Sequence, residues 1–169
     1  LDADVVGFFR EETIAGVHVL MVREGRIMGS NEFVLGRGKD VPDDDLLHVF
    51  LLRYYDATTS IPHEVIVRTV PEDRQAMEAW LTEKLASPHG AKVRFTAPER
   101  GEKADLVGMA ETNARHTLSR YKVRTNYDDK RINDALAQLE SALALEAPPL
   151  RIECLDISTI HGSYTVASM

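Results

Sequence analysis

The adjacent prolines Pro148 and Pro149 place the strongest single constraint on how this chain can fold. Proline lacks the amide donor that a helix interior needs and pushes the preceding residue towards extended geometry, so the pair must end any helix before it. After the prolines, an apolar, β-branched run carries Asp156, Gly162 supplies a turn, and a second strand-like run extends to Met169. We therefore expect residues 147–169 to form the first hairpin of a further domain, and residues 1–146 to form a separate domain.

The first 35 residues predict an antiparallel meander of three strands. Residues 3–10, 17–22 and 27–35 are rich in the β-branched and aromatic side chains that strands favour. Short connections join them, which we place at Ala15-Gly16 and at residues 23–26, where Gly25 can take a positive φ.

The remainder of this domain predicts helices that alternate with strands. Residues 42–55, 72–85 and 103–145 have helical patterns, whereas residues 63–70 and 91–96 are strand-like. Residues 122–126 predict a break or weak point in the last helix, whose leucines are expected to pack inward: Leu136, Leu139, Leu143 and Leu145. The order β-β-β-α-β-α-β-α predicts an α/β, ribonuclease-H-like fold with a mixed five-stranded sheet flanked by helices.

The charge distribution leaves two functions open. The net charge of -7 argues against indiscriminate nucleic-acid binding, yet residues 92–131 hold ten basic and six acidic side chains, a local balance of 10 - 6 = +4. This segment could be a face for an anionic partner or an ordinary solvated helix face, which we favour. Within it, Arg100 and Lys103 open a helix, where they could bind a DNA phosphate or simply brace the loop.

Other features of the sequence indicate the cellular compartment and exclude several kinds of site. The single cysteine, Cys154, excludes an internal disulfide framework and a Cys-rich zinc site, and predicts a reducing cytoplasm. The sequence contains no apolar run of membrane-spanning length, no signal-peptide pattern and no small-molecule cofactor fingerprint. Leu1 in place of an initiator methionine suggests a piece of a longer protein.

Three stretches of sequence carry a resemblance to a known family. They are residues 23–26 with Tyr54-Tyr55 and Ile61-Pro62; residues 98–103 with Leu106, Met109-Ala110 and Asn113-Ala114; and residues 149–153 with 156–158, Gly162 and 166–169. Together they resemble the UvrC family, the nuclease subunits of bacterial nucleotide excision repair. The resemblance spans nearly the whole chain, and its third stretch is the most specific.

The resemblance implies a function for the longer protein. UvrC-like proteins cut a damaged DNA strand on both sides of a lesion after their partner UvrB has bound it. This chain would be the region before the 5′ incision nuclease together with the first hairpin of that nuclease. Asp156 would then be the first catalytic carboxylate of a site that binds Mg²⁺ or Mn²⁺, with the other ligands beyond Met169, so we expect this chain to be inactive and to hold no metal. Thr159 stands where the family usually has histidine, and His161 follows two places later, which puts any role of that histidine in doubt.

The acids of the first domain raise the question of a second active site. Asp4, residues 43–45 and residues 72–73 lie where a ribonuclease-H-like nuclease could place carboxylates. Each also has a structural explanation, because acids favour helix starts and Asp4 can be a strand-end residue. Our hypothesis is a non-catalytic ribonuclease-H-like domain that positions the nuclease and faces DNA or UvrB. The alternative is a pure protein–protein interaction module that docks a repair partner.

Overall fold

A computed structural model describes residues 1–36, 41–87, 90–149, 151–153, 156–160 and 164–168 of the chain. The chain divides into two compact units, Leu1–Val123 and Arg124–Met169. Within the described residues, no helix combines the length and apolarity that a membrane span requires.

The first unit is built on a five-stranded sheet in the order β3-β2-β1-β4-β5. Its strands are β1 (Ala3–Glu11), β2 (Ile14–Arg23), β3 (Arg26–Leu35), β4 (Glu64–Ile66) and β5 (Arg94–Thr96). The first three pair antiparallel as a meander, whereas β4 lies parallel to both β1 and β5. The helices are α1 (Asp43–Ala57), α2 (Arg74–Leu85) and α3 (Glu102–Leu143). Both the mixed sheet and the predicted order of elements are confirmed.

Of the two hairpin turns predicted in the meander, one is confirmed and the other lies elsewhere in the sequence. Glu24 and Gly25 have φ angles of 52° and 75°, which is the geometry of a two-residue hairpin turn, so the prediction for residues 23–26 is confirmed. The first turn is instead made by Glu12 and Thr13, between the paired residues Glu11 and Ile14. The predicted turn at 15–16 is wrong because both residues belong to β2.

Helix α3 lies so close to the sheet that two strand positions must be glycine. A Cβ atom on Gly7 would lie 2.1 Å from the main-chain carbon of Ala110, and one on Gly16 would lie 2.3 Å from the carbonyl oxygen of Ala114. Both glycines and both alanines therefore lack the bulk that would hold the helix away. The role of Gly16 is this helix contact rather than a turn.

The opposite face of the sheet carries the larger core. Helices α1 and α2 bury apolar side chains against the strands, and the largest of those with almost no exposure include Tyr55, Phe95, Leu51 and Leu81. Burial of each such side chain contributes about 1.5–3 kcal/mol, so this layer supplies much of the stability of the unit.

The two edge strands of the sheet differ in how far neighbouring side chains cover them. On β5, the amide of Phe95 donates to Glu78 Oε1 at 2.7 Å, and just before this strand the amide of Val93 donates to Thr82 Oγ1 at 3.0 Å. Glu78 and Thr82 are one turn apart on α2, so this helix caps the amides at that edge. On β3, by contrast, residues 30–32 in the middle of the strand are exposed.

Helix α3 is continuous from Glu102 to Leu143, so a break at 122–126 is wrong, although the boundary between the two units falls at Val123 and Arg124. Thr125 and Asn126 each cost less than about 0.7 kcal/mol relative to alanine, which is too little to interrupt a helix. The expectation that its leucines pack inward is also wrong for two of the four, since Leu143 is 60% exposed and Leu145 is 39% exposed.

The second unit contains the predicted hairpin. Strands β6 (Asp156–Ile160) and β7 (Tyr164–Ser168) pair antiparallel, with Asp156 opposite Ser168. Residues 161–163, where the sequence predicts the turn at Gly162, lie outside the described residues, as do Cys154 and Leu155.

Candidate functional site

Asp156, the residue predicted to be catalytic, is the first residue of β6. The backbone register places it at the open end of the hairpin, opposite the last residue of β7. Its side chain and that of Thr159 lie outside the described part of the structure, and so does residue 161 altogether. The predicted metal role of Asp156 therefore stays a prediction.

The first unit contains a buried carboxylate of its own, at Asp4. This residue is on β1, the middle strand of the sheet, and is only 1% exposed. The Asp4 side chain is held from two sides: Arg23 Nη1 donates to Oδ1 at 2.8 Å, and the Tyr55 hydroxyl donates to Oδ2 at 3.1 Å. The expectation that Asp4 is an ordinary strand-end residue is wrong, because the carboxylate is part of the core.

Arg23 is anchored as firmly as the acid that it binds. Besides Asp4, its Nη1 atom donates to the carbonyl oxygens of Ala3 at 3.0 Å and Val22 at 2.9 Å, and its Nε lies 3.3 Å from Asp2 Oδ1. The guanidinium thus places a fixed positive charge beside the Asp4 carboxylate. A buried carboxylate requires such a partner.

Burial dominates the electrostatics of this cluster. Loss of solvent raises the pKa of Asp4 above its usual value, although the hydrogen bonds and charge of Arg23 and the hydrogen bond from Tyr55 oppose that rise. Burial, followed by the neighbouring Asp4 charge, raises the pKa of Tyr55 well above its usual value, so its hydroxyl stays protonated and remains a donor. The cluster is therefore a carboxylate with both oxygens committed to donors from the protein.

This arrangement suits a structural role better than metal chemistry. A two-metal nuclease site needs several carboxylates with free oxygens directed at the ions. In the described part of the chain, no three histidine, cysteine, aspartate or glutamate side chains cluster closely enough to hold a metal ion. At Asp4, the Arg23 guanidinium occupies the position beside the carboxylate that a metal ion would need.

The other acids considered as catalytic candidates lie at the starts of helices. Asp43 begins α1 and binds Arg10 Nη1 at 2.7 Å, and the same Nη1 donates to the carbonyl of Val41 at 2.6 Å. Glu72 and Asp73 are exposed just before α2. These positions favour the structural explanation, in which acids stabilise the positive end of the helix.

Of the two predicted phosphate-binding residues, Lys103 is engaged within the protein. Its ammonium contacts both oxygens of Glu64 at 2.7 Å, and Thr96 donates to the same carboxylate at 2.6 Å. These bonds hold the pKa of Glu64 below its usual value against the opposing effect of burial. Arg100 is exposed just before α3, beside Gly101, whose φ is 84°.

Several cations of the basic segment, residues 92–131, contact side chains of the sheet. Arg120 and Thr117 both donate to Glu32, Lys122 Nζ lies 2.8 Å from Glu11, and the Arg115 guanidinium lies 4.4 Å from the centre of the Phe9 ring. The positive charge of the first half of α3 is therefore partly neutralised by acids on the strands. Sequence reasoning missed these pairs because every partner is distant along the chain.

Comparisons with known proteins identify both parts of the chain. Residues 2–121 match the family model described as the UvrC ribonuclease H-like domain, and residues 140–169 match the one described as the UvrC RNase H endonuclease domain. The chain is similar to proteins named UvrABC system protein C. Identity is 40% for that of Thermobifida fusca, 36% for that of Acidothermus cellulolyticus and 33% for those of two strains of Dehalococcoides mccartyi.

Each of these matches covers 99% of the chain but only 26–27% of the relative. The chain thus spans about a quarter of the length of the curated relatives it matches.

Proposed function

The chain belongs to the UvrC family, and on that premise we propose that residues 1–146 form a non-catalytic ribonuclease-H-like domain that supports the adjoining nuclease. We assign residues 147–169 to the linker and first hairpin of that nuclease, with Asp156 as its first metal-binding carboxylate. The observation that carries the proposal is the Asp4 cluster, in which Arg23 and Tyr55 occupy both carboxylate oxygens. A carboxylate that is buried and accepts a bond from the protein on each oxygen is a core element, and it is poorly placed to coordinate two metal ions.

The whole protein would be the endonuclease subunit of the UvrABC system. It would incise damaged DNA on both sides of a lesion, in the cytoplasm, with UvrB and damaged DNA as its partners. Mg²⁺ or Mn²⁺ would supply the activated water and stabilise the leaving oxygen in the complete nuclease. This chain would contribute one carboxylate, Asp156, to that site.

A second candidate function is that of a protein–protein interaction module. It is favoured by the internal pairing of the basic segment, in which Lys103, Arg120 and Lys122 all bind acids of the sheet. Cations that are already paired gain less from a phosphate, because each new contact breaks an existing one. A domain of this kind would bind UvrB or another repair partner rather than DNA.

The decisive experiment compares two aspartates in the full-length protein. With UvrB and lesion-containing DNA, Asp156→Asn is expected to abolish the 5′ incision and leave the 3′ incision intact. Asp4→Asn is expected to retain the 5′ incision, with reduced thermal stability as its main effect. Asp2→Asn, which alters a half-exposed neighbour of the same cluster, is the matched control. Loss of the 5′ incision in a folded Asp4→Asn protein would refute the non-catalytic assignment.

DNA binding by this chain separates the two candidate functions. Direct phosphate contacts predict that the logarithm of affinity for duplex DNA falls linearly with the logarithm of salt concentration. Replacement of Arg100 and Lys103 by alanine would then reduce both the affinity and this slope. Absence of binding at low salt would favour the interaction module.

A further inference from the structure

The edge strand β3 lies beside a cavity lined by aromatic side chains. The cavity has a volume of about 410 Å³, and its lining comes from β3 and α1: Asn31, Phe33, Phe50, Arg53, Tyr54, Ala57 and Thr58. Three of these residues are aromatic and pack on one another, with ring centres 5.1 Å apart for Phe33 and Phe50, and 5.7 Å apart for both Phe33–Tyr54 and Phe50–Tyr54. The walls are thus continuous with the core, in which Phe50 is buried and against which Phe33 and Tyr54 pack.

The main chain of β3 has hydrogen-bonding groups directed away from the sheet. In the first hairpin the pair that flanks the turn, Glu11 and Ile14, is hydrogen-bonded, and such pairs alternate along an antiparallel ladder. Odd-numbered residues of β2 therefore direct their main-chain groups towards β3, where they meet Asn31, Phe33 and Leu35. The intervening residues of β3 direct theirs outwards: Ser30, Glu32 and Val34.

The cavity and the open edge are aligned with each other. Asn31 and Phe33 line the cavity and point to the same face of β3, because side chains two residues apart share a face. A strand added along Ser30, Glu32 and Val34 would lie about 4.8 Å from β3, and its side chains on that face would point to the cavity. Strand addition gains affinity from such main-chain bonds and specificity from pockets for alternate side chains.

The chemistry of the rim favours one kind of occupant. Arg53 is exposed, and among the described residues that line the cavity it is the single charged one. Glu32, the acid of the same strand segment, is directed to the other face of the sheet, where Thr117 and Arg120 bind it. The lining is therefore mostly apolar and aromatic, with the uncharged polar groups of Asn31, Thr58 and the Tyr54 hydroxyl and with one positive charge. This combination suits an apolar side chain followed by a carboxylate.

The length of the regular edge favours a short peptide segment over a long pairing of two copies. The register between β2 and β3 shifts at Met21/Val22, and Met28 is the extra residue of a bulge. A bulge twists the strand and interrupts its edge, which leaves only residues 29–35 in regular register. That length suits a short peptide segment.

We propose that this edge and cavity form a docking site for an extended peptide segment of a partner protein, with an apolar anchor side chain followed by an acidic residue. The segment adds to the sheet beside residues 30–34, its anchor enters the aromatic cavity, and its carboxylate binds Arg53. The proposal rests on the support role proposed for this domain, and it names the chemistry of the partner.

The test uses a short capped peptide in which valine and threonine alternate around one phenylalanine followed by aspartate. It is titrated into the isotopically labelled 169-residue chain and followed by amide NMR. The expected result is slower hydrogen exchange at the amides of Ser30, Glu32 and Val34 but not at Asn31 and Phe33, with shift changes at residues 53–58. Binding without this alternation would overturn strand addition.

Two variants make the test specific. Ser30→Pro removes one outward N–H while leaving the ladder to β2 intact, which an edge strand tolerates, and is expected to abolish binding; Ser30→Ala is its matched control. Arg53→Glu is expected to weaken binding about tenfold if the carboxylate is recognised there. Equal affinity for Ser30→Pro and Ser30→Ala would reject the site, and Arg53→Glu gives an independent answer if the proline variant does not fold.

Two other occupants are outcomes of the same measurements. If oligothymidylate rather than the peptide shifts the resonances of residues 53–58, the cavity binds nucleobases and the peptide proposal is wrong. If the edge amides are protected at high protein concentration without peptide, a second copy is the occupant. Because incision by the Asp4→Asn protein is measured separately, failure of peptide binding leaves the non-catalytic assignment untouched.

Discussion

Replacement of Gly7 by alanine tests the close contact between α3 and the sheet. The added Cβ would lie 2.1 Å from the main-chain carbon of Ala110, whereas ordinary contacts begin at 3.4 Å, so the helix must withdraw by about 3.4 - 2.1 = 1.3 Å. The obstacle is main chain rather than a flexible side chain, and no rotamer change can relieve it. The helix would lose packing at Val107 and Ala110, which share a cluster with Val5 and Leu20.

The expected cost of Gly7→Ala is large for a single methyl group. Overpacking of a core typically costs about 1–3 kcal/mol, and displacement of a helix main chain belongs at or beyond the upper end of that range, so we expect about 3–5 kcal/mol. Against a total stability of about 5–15 kcal/mol, this is a loss of between about a fifth and nearly all of the stability. The assay is urea unfolding of the 169-residue chain, followed by circular dichroism.

Gly108→Ala is the matched control for this prediction. Gly108 lies within α3, where an added Cβ would meet nothing within 4 Å. Alanine is the better helix former by about 0.8–1.0 kcal/mol, so this variant is expected to gain stability. If Gly7→Ala unfolds within about 0.5 kcal/mol of the unchanged chain, the range of ordinary surface substitutions, the contact between α3 and the sheet is not as close as described.

The remaining predictions concern the Asp4 cluster and the capped edge. Arg23→Met leaves the Asp4 carboxylate buried without its cation and is expected to cost about 3–5 kcal/mol at neutral pH, measured by urea unfolding; the double variant with Asp4→Leu should recover most of that loss. Burial already raises the pKa of Asp4, and loss of Arg23 raises it further, so the folded state takes up a proton more readily than the unfolded state. The deficit of Arg23→Met should therefore shrink as the pH falls from neutral towards the ordinary aspartate pKa of about 3.9, and a deficit independent of pH would contradict the assignment. Glu78→Ala deprives the Phe95 amide of its acceptor and is expected to cost about 1.5–3 kcal/mol in thermal unfolding, whereas Glu83→Ala, an exposed change on the same helix, should cost less than about 0.5 kcal/mol. Equal effects of the two glutamate variants would show that the bond from the Phe95 amide to Glu78 does not contribute to the stability of the protein.

Local signals in the sequence were sufficient for the order of elements. Runs of β-branched residues mark the strands, Gly25 marks the second turn, and the helical patterns begin next to Pro42 and Pro71. These signals act within a few residues, so they can be recognised without knowledge of the tertiary structure. The ribonuclease-H-like sheet follows from their order together with the rule for parallel crossovers.

The features that the sequence did not predict depend on contacts between distant residues. The sequence predicts a turn at Gly16 because glycine is common in turns, but the actual constraint on Gly16 is the main chain of Ala114. The burial of Asp4 depends on Arg23, 19 residues away, and on Tyr55, 51 residues away. The one local signal was an acid at the start of a strongly apolar strand, which is costly unless it has a partner.

The unequal edges of the sheet restrict how copies of this protein could associate. Head-to-tail growth would need β5 of one copy to pair with β3 of the next. Because such a contact joins two different surfaces, its repetition leads to an open filament unless the copies form a ring. The side chains of Glu78 and Thr82 already accept the amides of Phe95 and Val93 that such a contact would use. Strand pairing at the edges of the five-stranded sheet is therefore favoured at β3, where two copies would form a closed pair. The hydrogen bonds from α2 that cover β5 therefore oppose the open-ended growth of a fibre, whereas β3 remains available for strand pairing.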